Sequence, residues 1–253
     1  MSGTTPLRVL HTFDNAAGFD ELPEEVARLR SVPGCASAEL YSSVTPGDDF
    51  HALTALWSSE DTFDAWWDTV RKGDFPSIRR LVAEPDEGNP EIDRSGTEFY
   101  PQTPFALRDG TWVPEAFDEK ARTIFWPARG PVRVIIQNAV EATDAMYAKI
   151  RTEVLDTRRE EGCLEYAWLE NIDLPGHLLL LEVWIDQIRY DRHWTLRERT
   201  AAFVGDNLRE PATPARGPVS REFYRYQDFR HHYDRWLPVD PDAHATAIMW
   251  PAG

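Results

Sequence analysis

The chain has 253 residues, 42% of them hydrophobic and 28% charged, with a formal net charge of −16. That length suits one large or two small globular units, and so acidic a chain repels a phosphate backbone, which argues against a nucleic-acid partner. Two cysteines, Cys35 and Cys163, exclude a disulfide framework, no apolar run approaches the ~20 residues that span a bilayer, and Met1-Ser2-Gly3-Thr4-Thr5-Pro6 lacks a signal-peptide pattern; a cytoplasmic protein without membrane partners is expected.

Alternation and β-branched content predict a strand over 7–13, a helix over 21–31, strands over 36–44 and 51–57, a helix over 59–71 and a strand over 97–100. A second helical segment before that last strand carries Arg79 and Arg80. The order then recurs. A strand over 132–138 leads to a helix over 144–161, with Thr143 placed to accept a first-turn N–H and Gly162 placed to end it. A strand over 164–170 and the turn Asp173-Leu174-Pro175-Gly176 follow. The strand over 178–184 is nearly all apolar and therefore central. A helix from Asp186 to about Arg209, broken at Gly205, and a strand over 220–229 complete the second set.

The recurrence extends to individual residues. Gly34-Cys35 returns as Gly162-Cys163, Trp57 as Trp184, Trp67 as Trp194, and Glu98-Phe99-Tyr100 as Glu222-Phe223-Tyr224. Trp112-Val113-Pro114 returns as Trp236-Leu237-Pro238, and Trp126-Pro127-Ala128 as Trp250-Pro251-Ala252. Chance does not place eight of 10 tryptophans in register, so the chain is a duplication. The seam falls near Arg129-Gly130-Pro131, dividing the chain into 1–128 and 129–253. The expected class is α+β: two ferredoxin-like βαββαβ units. An antiparallel sheet with helices on one face leaves the other bare, so the two sheets should pack face to face within the chain. Further homodimerisation stays open.

The run Gly162-Cys163-Leu164-Glu165-Tyr166, then Pro175-Gly176-His177, then Leu181-Glu182-Val183-Trp184-Ile185-Asp186 resembles the antibiotic biosynthesis monooxygenase family of dimeric α/β barrels. Copy one resembles it more loosely, through Pro33-Gly34-Cys35-Ala36-Ser37-Ala38-Glu39, Leu56-Trp57-Ser58-Ser59-Glu60 and Phe63-Asp64-Ala65-Trp66. The resemblance implies a pocket in each unit between sheet and helices, and oxidation of aromatic polyketides by O₂ without metal or flavin, as in antibiotic biosynthesis. Quinone-forming members carry an Asn four residues before the third-strand Trp and a Tyr six after it. Here Leu53 and Leu180 stand at the first position, and Phe63 and Tyr190 at the second. Haem-degrading members imply an Asn such as Asn138 and a Trp such as Trp66, but their His position falls on Pro76 or Phe203; haem held by His193 or His11 is the alternative cofactor. An arginine near Arg79 and Arg80 contacts substrate in some members.

Between the copies, Trp66 aligns with His193, Phe63 with Tyr190 and Tyr41 with Trp168. Tyr190, His193, Trp194 and Arg197 share a helix face at i, i+3, i+4 and i+7. A titratable His beside a phenol on a core-facing stripe suits a general base, so His193 and Tyr190 are the catalytic candidates. Trp184, Trp168, Asn138, Glu182, Arg197, Trp66 and His11 are the substrate-binding candidates; Glu182 shares the Trp184 side of its strand by period two. Gln137 and Asn138 stand where copy one has Thr12 and Phe13, which adds polarity to the copy-two pocket. His231-His232 lacks an i, i+4 partner, so no metal site is read. The expected function is a cofactor-independent monooxygenase or cyclase for an aromatic, polyketide-like substrate and O₂. The alternatives are a haem enzyme and a non-catalytic binder of a hydrophobic metabolite.

Overall fold

The computed structural model describes residues 5–14, 19–82, 96–102, 105–108, 111–114, 130–200, 203–208, 221–232 and 235–239. The Trp126 and Trp250 repeats and most of the seam lie outside them. Copy one contains β1 (Leu7–Asp14), α1 (Leu22–Leu29), β2 (Cys35–Ser43), β3 (Phe50–Trp57), α2 (Glu60–Arg71), α3 (Pro76–Val82) and β4 (Gly96–Pro101). A hairpin follows, β5 (Phe105–Arg108) and β6 (Thr111–Pro114). The second set is β7 (Val132–Ala139), α4 (Asp144–Thr157), β8 (Cys163–Asn171), β9 (His177–Trp184), α5 (Gln187–Arg197), β10 (Arg221–Arg225) and the hairpin β11 (Phe229–His232) and β12 (Arg235–Pro238). None of the described helices is long and apolar enough to cross a membrane.

Ten strands form one antiparallel sheet in the order β10-β7-β9-β8-β2-β3-β1-β4-β11-β12. Each half has the ferredoxin-like order, and they join edge to edge where Tyr41, Ser42 and Ser43 pair with Asn171, Glu170 and Leu169. The sheet curls so that its inner faces meet, as the bare-face argument requires. Strand alternation sorts the side chains. Val9, Leu53 and Trp57 pack under the copy-one helices, and Val134, Leu180 and Trp184 under those of copy two. Leu10, Tyr41, Tyr100, Ile135, Leu169, Leu179 and Tyr224 form a third core shared by both halves.

The open side of the barrel is closed by side chains. Arg8 Nη2 donates to Glu222 at 2.7 Å, and its counterpart Arg133 Nη2 donates to Glu98 at 2.6 Å, each pair about 1–2% exposed. Between them Tyr100 and Tyr224 stack at 4.2 Å. Burial alone would lower the charge affinity of these guanidiniums. The facing carboxylates more than offset it, and both arginines are held above their ordinary range. The hairpin β11–β12 crosses from copy two onto β4 of copy one, where Trp236 packs against Phe99 and Trp67.

Local signals explain most boundaries. Thr143 accepts from the Met146 N–H, Asp186 from the Arg189 N–H, and Ser59 forms a capping box with Thr62. Other expectations need correction. The helix before Gly162 stops at Thr157, and Gly162 instead makes the turn into β8. Its φ is +90°, and an added Cβ would lie 2.5 Å from Arg189 Cγ; Gly34 has the same φ and the same crowding against Thr62. The second helix ends at Arg197 rather than near Arg209. A separate 3₁₀ turn begins at Val204, because the buried Glu153 carboxylate takes the Val204 N–H at 2.7 Å. Glu25, its repeat counterpart, likewise takes the Ser77 and Ile78 N–H groups at the start of α3. The last strand stops at Arg225, and Phe229 opens the exchanged hairpin.

The alignment of Tyr41 with Trp168 is also corrected. Leu40 pairs with Leu53 as Trp168 pairs with Leu180, so Leu40 is the counterpart of Trp168, and Tyr41 that of Leu169. The β2–β3 connection is one residue longer than β8–β9, and a one-residue slip moves a side chain to the opposite face.

Candidate functional site

β9 directs Leu178, Leu180, Glu182 and Trp184 toward the helices of copy two, and α5 lays Tyr190, His193 and Arg197 over them. His193 is 3% exposed, and its ring lies 4.7 Å from Trp184 and 5.5 Å from Tyr166. His193 Nδ1 sits 3.0 Å from Glu160 Oε2, and Arg197 Nε donates to Glu160 Oε1 at 2.7 Å. Burial lowers the His193 pKa against the opposing pull of Glu160, so the ring is neutral at neutral pH. With Nδ1–H donating to the carboxylate, Nε2 is left as the acceptor.

Glu182 is fully buried. Its Oε2 accepts from Trp184 Nε1 at 2.7 Å, while its Oε1 has no partner. Desolvation pushes this carboxyl up to about 8, so it is protonated at pH 7. One indole therefore touches a neutral acid through its N–H and a neutral imidazole through its face. A second carboxylate, Glu153, accepts from Tyr166 Oη at 2.7 Å and from Trp168 Nε1 at 3.2 Å.

Six expected site residues thus gather in copy two: His193, Tyr190, Trp184, Trp168, Glu182 and Arg197. The Tyr190 hydroxyl accepts from Trp194 Nε1, and its ring packs on Phe223. Asn138 faces the same layer with Nδ2 unpartnered, but it pairs with Leu178, four residues along β9 from Glu182. At about 3.3 Å per residue it lies roughly 13 Å away. Gln137 does not join the site: it points into the barrel and donates to Tyr41 Oη at 2.9 Å, because adjacent strand residues face opposite ways. Trp66 and His11 belong to copy one. Trp66 packs at 5.1 Å on Trp57. His11 bonds Thr97 at 2.9 Å, and burial lowers its pKa to about 4. Arg80 pairs with Glu21 at the surface.

Sequence reasoning missed Glu153, Glu160 and Tyr166. Glu153 could have been found, since it repeats Glu25 between apolar helix positions. Glu160 sits in the charged run Arg158-Arg159-Glu160-Glu161 and carries no such signal. The counterparts of Glu160, Tyr166, Trp168, Glu182, His193 and Arg197 in copy one are Val32, Ala38, Leu40, Ala55, Trp66 and Val70, all apolar.

Two surface depressions are described. One, of about 370 Å³, lies beside the start of α4 at Thr143, Met146 and Lys149, and the other, of about 350 Å³, lies along β8. Neither borders His193 or His11, and both histidines are engaged by side chains, so these residues do not fit a haem ring. Among the described residues no group of three or more His, Cys, Asp or Glu is placed to hold a metal ion.

Residues 132–203, from β7 past α5, match the family model for antibiotic biosynthesis monooxygenase. No curated protein matches the chain. Among solved structures, an antibiotic biosynthesis monooxygenase is 28% identical, covering 32% of this chain and 88% of that one, with a TM-score of 0.27. A protein of Mycobacterium tuberculosis is 26% identical, covering 37% and 92%, with a TM-score of 0.29. An anthrone oxidase-like protein is 11% identical over 82% and 88%, with a TM-score of 0.32. Residues 132–203 are thus similar to the antibiotic biosynthesis monooxygenase family, and they lie within the second of two tandem ferredoxin-like units.

Proposed function

We propose that this protein is a monooxygenase whose chemistry resides in copy two, acting with O₂ on an electron-rich aromatic, polyketide-like small molecule and needing no resident metal or flavin. The observation that carries the reading is the buried His193, paired with the half-buried Glu160 and packed on Trp184, in a position where copy one has Val32 and Trp66. A buried imidazole costs stability unless it is paired, and one kept neutral with a free Nε2 is placed to accept a proton. His193 removes an acidic proton from an activated ring carbon or phenol. The resulting anion supplies the electrons that reduce O₂, and a C–O bond forms. Loss of water from the hydroperoxide leaves a carbonyl, so that a CH₂ and O₂ give C=O and H₂O. Glu182, protonated at neutral pH, supplies the proton that the departing hydroxide needs.

The test is O₂ consumption and product mass with anthrone-type and polycyclic phenolic substrates, on dialysed, chelator-treated protein. Turnover that inserts one labelled oxygen atom, and falls by roughly 10²–10⁴-fold in His193→Ala, is expected. Tight binding with no conversion would make the protein a sequestering binder instead. A visible Soret band on adding haemin, with turnover only then, would replace this reading with a haem-dependent one.

A further inference from the structure

The pseudo-twofold axis passes through the Ser42–Glu170 pair, which Tyr41–Asn171 and Ser43–Leu169 flank on either side. A symmetric barrel wall should look alike on both sides of it, and this one does not. On one side Glu39, 4% exposed, fills the wall, accepting from Asn171 Nδ2 at 2.9 Å and from Arg30 Nη2 at 3.1 Å. On the other, Ala167 stands where Glu39 would be, and Ser43 where Asn171 would be. The missing bulk coincides with the depression of about 350 Å³ along β8, within the range of about 300–1,000 Å³ usual for small-molecule sites.

Phe50, Leu164 and Ala167 supply its apolar wall. Its rim holds two ion pairs, Asp48 with Arg158 at 2.7 Å and Glu165 with Arg133 at 2.5 Å. Each carboxylate meets its arginine through one oxygen. Asp48 Oδ1 and Glu165 Oε2 accept no hydrogen bond among the described residues. The depression thus offers an aromatic surface between two spare acceptors, and because Arg133 is shared between Glu165 and Glu98, its rim has no surplus positive charge to favour an anion. Ala167 and Glu165 share the barrel-facing side of β8, whereas His193 packs on the opposite, helix-facing side.

We propose that this depression is a binding site, separate from the His193 cluster, for a neutral, planar aromatic molecule bearing hydroxyl or N–H donors. The experiment is calorimetric titration of the intact chain with 2-naphthol, 2-naphthoate and 2-ethylnaphthalene. Wild type should bind 2-naphthol saturably and at least tenfold more tightly than the anion or the donor-free analogue. Ala167→Leu fills the depression and should weaken 2-naphthol binding at least tenfold. Leu164→Glu changes the wall at a position 59% exposed, where folding is not at stake, and should weaken it as well. His193→Gln should leave the affinity unchanged. Absence of saturable binding, or equal affinity for 2-ethylnaphthalene, would overturn the proposal. So would binding that survives both Ala167→Leu and Leu164→Glu but is lost in His193→Gln, which would put the ligand on the helix side.

Discussion

Replacing Glu182 by Gln removes a buried acid and keeps its shape and its acceptor for Trp184 Nε1. The native carboxyl has its pKa raised from 4.5 to about 8, with burial the largest cause. A raised acid binds more protons folded than unfolded, so its contribution to stability is full below pH 4.5 and is lost as pH rises toward 8. Each unit is worth about 1.4 kcal/mol. The shift therefore amounts to about 5 kcal/mol when complete, and about 3 kcal/mol at pH 7. Urea unfolding followed by tryptophan fluorescence at pH 5, 6, 7, 8 and 9 measures it. The two proteins should be nearly equal at pH 5, with Glu182→Gln more stable by several kcal/mol at pH 9. Titration of other groups, Asp228 among them, cancels in the difference between the proteins. If the two stability curves run parallel across this range, Glu182 is ionised in the native state, and its assignment as a neutral acid fails.

Other outcomes follow from the same geometry. Trp66→Ala, 3% exposed amid Trp57, Phe63 and Phe75, should lower stability by about 3–5 kcal/mol in denaturant melts while sparing turnover. Arg133→Ala strands Glu98 without its partner and should cost about 3–5 kcal/mol, whereas the double variant Arg133→Met with Glu98→Met should recover most of it, since removing both charges of a buried pair is often near neutral. Residues 1–128 expressed alone should aggregate or dimerise, because they expose half of a shared core and lose the Arg8–Glu222 pair. A monomeric, cooperatively melting fragment by ultracentrifugation and calorimetry would contradict the shared-barrel architecture.

The sequence alone determined the duplication, the strand and helix order of both copies, the cap at Thr143, and the shared face of Tyr190, His193 and Arg197. These are local or periodic properties, written in residue types a few positions apart. It also showed that copy two is the polar one, because a repeat is its own internal comparison. Tertiary structure decided the rest. The joining of β2 to β8 depends on which edges meet, which no local pattern encodes. The exchange of Tyr41 for Leu40 as the counterpart of Trp168 turned on one extra residue in a hairpin, invisible to composition yet enough to reverse a face. Glu160 reads as one more charge in a solvated run until its carboxylate is found between His193 and Arg197, 33 and 37 residues on. Whether a carboxylate stays ionised in water or is buried, paired or protonated is set by desolvation against distant partners, and those partners exist only once the chain has folded.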